Sequence, residues 1–139
     1  MASGFRLAAR LEADSFFLTD WPLCQVRLLD DARFPWLILV PRRAGLEEWT
    51  DLGAEDSTAL ANEIGMAGRT LAAMFKPTKL NVGALGNIVR QMHVHVIARF
   101  DTDAAWPGPV WGQGARVPYE IPARDRLSAS LLTLLGNAS

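Results

Sequence analysis

The stretch Gln91-Met92-His93-Val94-His95-Val96-Ile97 alternates almost perfectly between polar and apolar residues. Met92, Val94, Val96 and Phe100 fall on one side, and Gln91, His93, His95 and Arg99 on the other. A period of two over this length, rich in β-branched residues, predicts a strand with one buried face. On such a strand His93 and His95 project the same way, roughly 6.5–7 Å apart at their Cα atoms. The chain has 2 histidines, and both sit here. A neutral imidazole can attack phosphorus, shuttle a proton or bind a metal, so the polar face of this strand is the candidate site.

The rest of the chain reads as elements that could build a sheet around that strand. Leu7 and Leu11, four apart, suggest a short helix over Arg6 to Ala13, ending before Asp14-Ser15. Phe16-Phe17-Leu18 is a brief apolar segment closed by Thr19-Asp20-Trp21-Pro22. Cys24 to Leu29 reads as a strand, Asp30-Asp31-Ala32-Arg33 as a turn, and Trp36 to Val40 as an apolar strand buried on both faces; together they make a hairpin. Pro41 to Gly45 stops it, and Leu46 to Leu52 predicts one or two helical turns. Leu60, Ile64, Ala67, Leu71 and Met74-Phe75 mark one buried stripe of a long helix from Glu55 to Phe75. Lys79 to Ala84 is a strand, and Leu85-Gly86-Asn87 a tight connection towards the histidines.

Asp101 to Pro118 holds three prolines, three glycines and two tryptophans without periodicity, as in a functional loop, packed arm or interface element. Arg124 to Leu135 closes as a helix. The expected fold is α+β, one domain over residues 1–139: an antiparallel sheet of about five strands with one long helix and terminal helices.

Composition narrows the partners. A net charge of -1 gives no basic footprint, so no long nucleic acid is expected. Neither a signal-peptide-like apolar run nor a membrane span is present in the sequence. Cys24 is the single cysteine, which fits a reducing cytoplasm. Twelve of the 14 basic residues are arginine, a skew that genome composition explains and that also suits forks onto phosphate.

A His-x-His pair on a strand has structural, metal-binding and catalytic readings. Asn81, Gly83, Gly86 and Asn87 on the preceding strand and turn tilt the balance, because a glycine-punctuated turn lets backbone N–H groups approach an anion. Amides, N–H groups, an arginine and two imidazoles describe a phosphate site better than a metal site. Zinc would want a third ligand, and no acidic residue or cysteine lies on this strand. No metal or cofactor is expected. Arg99 and Arg90 also read as solvated surface charges, Asp30 as an ordinary turn aspartate, and Trp36, Trp106 and Trp111 as packing residues.

The segment from Asn81-Val82-Gly83 to Ile97 resembles the signature of the histidine triad (HIT) superfamily of nucleotidyl hydrolases and transferases, in which such a strand and turn lead into His-φ-His-φ-His-φ-φ, φ being apolar. His93 takes the middle position, His95 the last, and Gln91 stands where the first histidine would be. The hairpin from Leu28 to Arg42 and the stretch Leu46 to Phe75 resemble the family's nucleoside-binding hairpin and connecting helix. Trp106-Pro107 and Pro109-Val110-Trp111-Gly112 resemble bacterial members of the diadenosine polyphosphate hydrolase-like branch.

The resemblance implies a hydrolase or transferase that cleaves a phosphoanhydride or phosphoramidate bond of a small nucleotide, acting as a homodimer. It implies His93 as the nucleophile that takes up the nucleotidyl group, with His95 assisting the leaving group. Asn81, Gly86, Asn87 and Arg99 would orient phosphate, and Asp30, with Asp31 as the alternative register, would contact ribose. Gln91 can donate a hydrogen bond but cannot change charge near neutral pH. A nucleotide-binding regulatory protein without turnover is the other function compatible with that change.

Overall fold

The computed structural model describes residues 4–136. After a short helix α1 (Ala9–Asp14), strands β1 (Ser15–Asp20), β2 (Cys24–Leu29) and β3 (Trp36–Pro41) form a meander. A long helix α2 (Ala54–Phe75) leads to β4 (Lys79–Gly83) and β5 (Val94–Arg99), and helix α3 (Ile121–Leu135) follows a long strap. All neighbouring strands are antiparallel, in the order β1-β2-β3-β5-β4, so β5 inserts between β3 and β4. The architecture is the expected α+β one, with five strands.

β3 and β5 are central and buried at every residue, which accounts for the unbroken apolar run of β3. The two faces of the sheet are covered differently. Val26, Leu37, Leu39, Val94 and Val96 pack against Leu60, Ala67 and Leu71 of α2 and Leu131 of α3. On the opposite face, Trp36, Ile38, Val40 and Ile97 lie with Leu11 of α1 and with Ala105 and Val110 of the strap. His95 pairs in register with Ile38 and Gly83 and belongs to this second face.

Two buried carboxylates tie the layers together. Glu63 of α2 accepts the backbone N–H groups of Leu23 (2.9 Å) and Cys24 (2.8 Å), fixing the helix against the start of β2. Burial, with the Glu63 carboxylate beside it, pushes the Cys24 thiol far above its ordinary range. At the end of β5, Arg99 is 1% exposed and forks onto Asp103 (2.8 and 3.0 Å), while also donating to Asn81 Oδ1 and Gly108 O. Asp103 in turn accepts the N–H groups of Phe100, Ala105 and Trp106, which sets the first turn of the strap.

Several boundaries depart from the sequence reading. The first helix starts at Ala9 and not Arg6, because Gln91 takes the Ala8 N–H and donates to Arg6 O, holding that segment outside a helix. Phe16 to Leu18 belongs to a full strand on the sheet edge. Leu46 to Leu52 contains one 3-10 turn, Trp49–Asp51. The histidine strand begins at Val94, so Gln91 and His93 precede it. The last helix starts at Ile121, with Pro122 in its first turn, where a missing N–H costs nothing. Arg99 is not a solvated surface charge, since Asp103 compensates its burial.

Two stability measurements test these ties. Glu63→Leu leaves two buried N–H groups without an acceptor and should lower the unfolding free energy in urea by about 2–4 kcal/mol; an unchanged midpoint contradicts the role. Asp103→Ala strands the Arg99 charge and should cost about 3–5 kcal/mol. The Arg99 hydrogen bonds, against an opposing effect of burial, hold the Asp103 carboxyl well below the usual carboxylate range. Its contribution is therefore complete above about pH 4, the unfolded value, and fades as pH falls towards the lowered folded value. The wild type should lose stability faster than Asp103→Asn over that acid range.

Candidate functional site

His93 and His95 meet in the wall of a cavity of about 400 Å³ on the second face of the sheet. Its walls come from separate parts of the chain: Leu29 at the end of β2 and Asp31 just after it, Trp36 of β3, the Leu85–Val89 turn, and Val110 to Gly114 of the strap. The irregular strap is therefore a wall of the site. Asp103 anchors it at one end, and at the other Ala32 N donates to Val117 O (2.6 Å) and Tyr119 N to Asp30 Oδ1 (2.8 Å). Trp111 leans over Gly83, where a Cβ would lie 3.0 Å from the indole, and meets the His95 ring edge-on at 5.3 Å between centroids. Glycine at position 83 is what lets this wall close on His95.

The two imidazoles are held in opposite hydrogen-bonding states. His93 Nδ1 lies 2.7 Å from the Gln91 carbonyl oxygen. A carbonyl only accepts, so Nδ1 carries the proton and Nε2 keeps its lone pair. His95 Nδ1 accepts from the indole N–H of Trp36 at 2.9 Å. An indole only donates, so this Nδ1 is unprotonated and His95 presents an N–H at Nε2. Trp36 pairs with Ile97 across the β3–β5 ladder, which puts its side chain diagonal to His95, within reach of an aromatic ring. The rings of His93 and His95 are 4.9 Å apart at their centroids. Burial, and next to it the neighbouring His93, lower the pKa of His95 to about 3.

The expected site residues divide into two groups. Gly86 and Asn87 line the cavity with the histidines, and Gly86 has φ +71°, a turn conformation that suits glycine. Gln91, Asn81, Arg99 and Asp30 are not in its walls. The Gln91 side chain secures the N-terminal arm, while its backbone carbonyl orients His93. Asn81 and Arg99 bond one another beneath the strap. Asp30 accepts from Tyr119 N and faces Arg116 at 3.5 Å. Asp31, the alternative register, is the aspartate that reaches the cavity, yet Arg33 grips it through Nε and Nη2 (3.0 and 2.8 Å). Burial opposes its ionisation, but the bonds from Arg33 and the N–H of Val117 outweigh it and keep its carboxyl below the usual range. Sequence reading missed Arg10, Arg33 and Arg116 at the cavity, and assigned Trp36 and Trp111 to packing. Among the described residues, no group of three or more His, Cys, Asp or Glu is placed to hold a metal ion.

The pattern of the HIT domain matches residues 10–102. The chain belongs to the HIT domain family. This is a family of nucleotidyl hydrolases and transferases that act on small nucleotides. Whole-chain likeness to solved structures extends past the matched region. A histidine triad protein from Sinorhizobium meliloti 1021 is 43% identical with a TM-score of 0.93, over 97% of this chain and 100% of that one. One from Marinobacter aquaeolei VT8 is 41% identical with a TM-score of 0.94, over 97% and 98%. One from Bradyrhizobium japonicum is 39% identical with a TM-score of 0.92, over 95% and 98%. No curated protein matches the chain. The HIT domain match ends at residue 102, so most of the strap lies beyond it, whereas the three solved structures cover nearly the whole chain.

Enlarging Gly83 tests the strap as a wall of this HIT site. Gly83→Val should displace Trp111 and weaken binding of a nucleoside monophosphate by about tenfold in calorimetry, one contact's worth of affinity. Unaltered affinity in a folded variant would remove Trp111 from the site.

Proposed function

We propose that this HIT protein is a nucleotide hydrolase or nucleotidyl transferase of the diadenosine polyphosphate hydrolase-like branch, cleaving a phosphoanhydride or phosphoramidate bond through a covalent nucleotidyl-histidine. The observation that carries this reading is the opposed state of the two imidazoles: an Nε2 lone pair on His93 beside an Nε2–H on His95. His93 Nε2 attacks the α-phosphorus, the bond to the leaving group breaks, and water then releases the nucleotide. His95 donates to an oxygen around the phosphorus, and the amides of the Gly86–Asn87 turn stabilise the charge that develops. In this reading Asp31 and not Asp30 faces the ribose, because it is the one that reaches the cavity. Asn81 and Arg99 act at one remove, by holding the strap.

Residues 1–139 work as one HIT-like domain in a cytoplasmic setting, and the active form is a homodimer. The edge strand β4 supports the dimer: among the described residues its outer side is unpaired, and Val82 on it and Ile88 beyond it are exposed. One observation favours a second reading, a nucleotide-binding regulator. Gln91 is committed to the N-terminal arm, so its side chain does not join the two histidines at the cavity.

His93→Ala should abolish hydrolysis of diadenosine tetraphosphate followed by chromatography, while retaining nucleotide binding. Full activity in that variant rejects the nucleophile. Tight binding by the wild type with no product supports the regulator.

A further inference from the structure

The hydrogen bond on the far side of His95 determines what that residue can do. Trp36 is 6% exposed and His95 8%, so no solvent substitutes for the indole at Nδ1. A second proton on His95 would have to sit on Nδ1, pointing at the Trp36 N–H, donor against donor at 2.9 Å. The ring has little room to turn away, with Trp36 and Trp111 edge-on at 5.6 and 5.3 Å and Gly83 opposite it in the ladder. Among charged and titratable groups, His93 faces it from its own segment. Arg10, Asp14, Asp31, Arg33 and Arg116 stand elsewhere in the cavity walls, and none hydrogen-bonds either imidazole. Burial and the His93 ring act in the same direction, against a charge on His95.

We propose that Trp36 is a positioning residue that keeps His95 a neutral hydrogen-bond donor, and that it thereby restricts the site to phosphoanhydrides, excluding phosphoramidates. The inference rests on the nucleotidyl-histidine reading and sharpens its substrate class. When His93 Nε2 bonds to phosphorus, the electron pair of the breaking bond moves onto the leaving atom. In an anhydride that atom is a phosphate oxygen, whose conjugate acid has a pKa of roughly 6, so it leaves as an anion without a proton. The Nε2–H of His95 assists by hydrogen bonding alone and stays on its nitrogen. In a phosphoramidate the leaving atom is an amine nitrogen, which must gain a proton as the P–N bond breaks. A neutral imidazole that delivers its one N–H would become an anion. Only an imidazolium serves as that acid, and the Trp36 N–H occupies the place its second proton needs. Water then attacks the nucleotidyl-histidine, the P–N bond returns its pair to Nε2, and the proton of the water passes to solvent or to the departing phosphate.

The test compares diadenosine tetraphosphate with adenosine 5′-phosphoramidate as substrates of the full chain. Wild type should favour the anhydride in kcat/KM by about 100-fold or more, the usual reach of a general acid. In Trp36→Phe, which keeps an aromatic ring but no N–H, that preference should fall by about tenfold as pH drops from 7.5 to 5.5. Two-bond 1H–15N spectra of the wild type, which need no activity, should show His95 with an unprotonated Nδ1 from pH 8 to 5. Equal use of both substrates, or a His95 that protonates at Nδ1 in that range, overturns the inference and leaves the nucleotidyl-histidine reading standing. Turnover of neither substrate overturns that broader reading instead, and the spectra then decide the role of Trp36 on their own.

Discussion

Every residue of the two central strands is buried, and the polar groups placed there have to be satisfied by the chain itself. On the helical side the problem scarcely arises, because that face of β3 and β5 is aliphatic. On the other face sit His93, His95 and Arg99, all under a tenth exposed. Unpaired, each would carry a desolvation cost of several kcal/mol. The partners they find give the site its chemistry: a carbonyl for His93, an indole for His95, a carboxylate and an amide for Arg99. The hydrogen bonds that satisfy these buried groups also set which ring nitrogens face the cavity.

The consequence is a division of labour along one strand. At its start the two imidazoles face the cavity with complementary ring nitrogens, one free to attack and one free to donate. Four residues beyond His95, Arg99 organises the strap, whose Trp111 returns to close the cavity over that same ring. A segment without regular hydrogen bonding is thus tied at both ends, since Asp103 satisfies its first turn and the Asp30 carboxylate and Ala32 N–H pin its far end. Gln91 departs from the HIT pattern in side chain but not in backbone. Its carbonyl still sets the tautomer of His93, a task any residue could perform, and its amide holds the N-terminal arm.

Local pattern made the sheet, the long helix and the two histidines legible in the sequence. Alternation in β5, the unbroken run in β3 and the three–four spacing of α2 each follow from which faces are buried. What stayed hidden depends on pairing between distant segments. Nothing near Trp36 indicates that it lies diagonal to His95, because the β3–β5 register joins residues 59 apart in sequence. Arg99 looked like a surface charge because its partner, Asp103, sits in a loop with no periodicity. Asp30 and Asp31 could not be ranked from a turn alone; the strap bonds both, Asp30 through Tyr119 N and Asp31 through Val117 N, and only Asp31 also lines the cavity.

The central claim is that His93 takes the nucleotidyl group before water does. The stereochemical course at phosphorus tests it directly, using a nucleoside 5′-O-(1-thiotriphosphate) of one configuration hydrolysed in 18O-labelled water. Two successive in-line displacements, on to His93 and off again, predict retention of configuration in the product. Inversion would mean that water attacks in a single step, and would contradict the account.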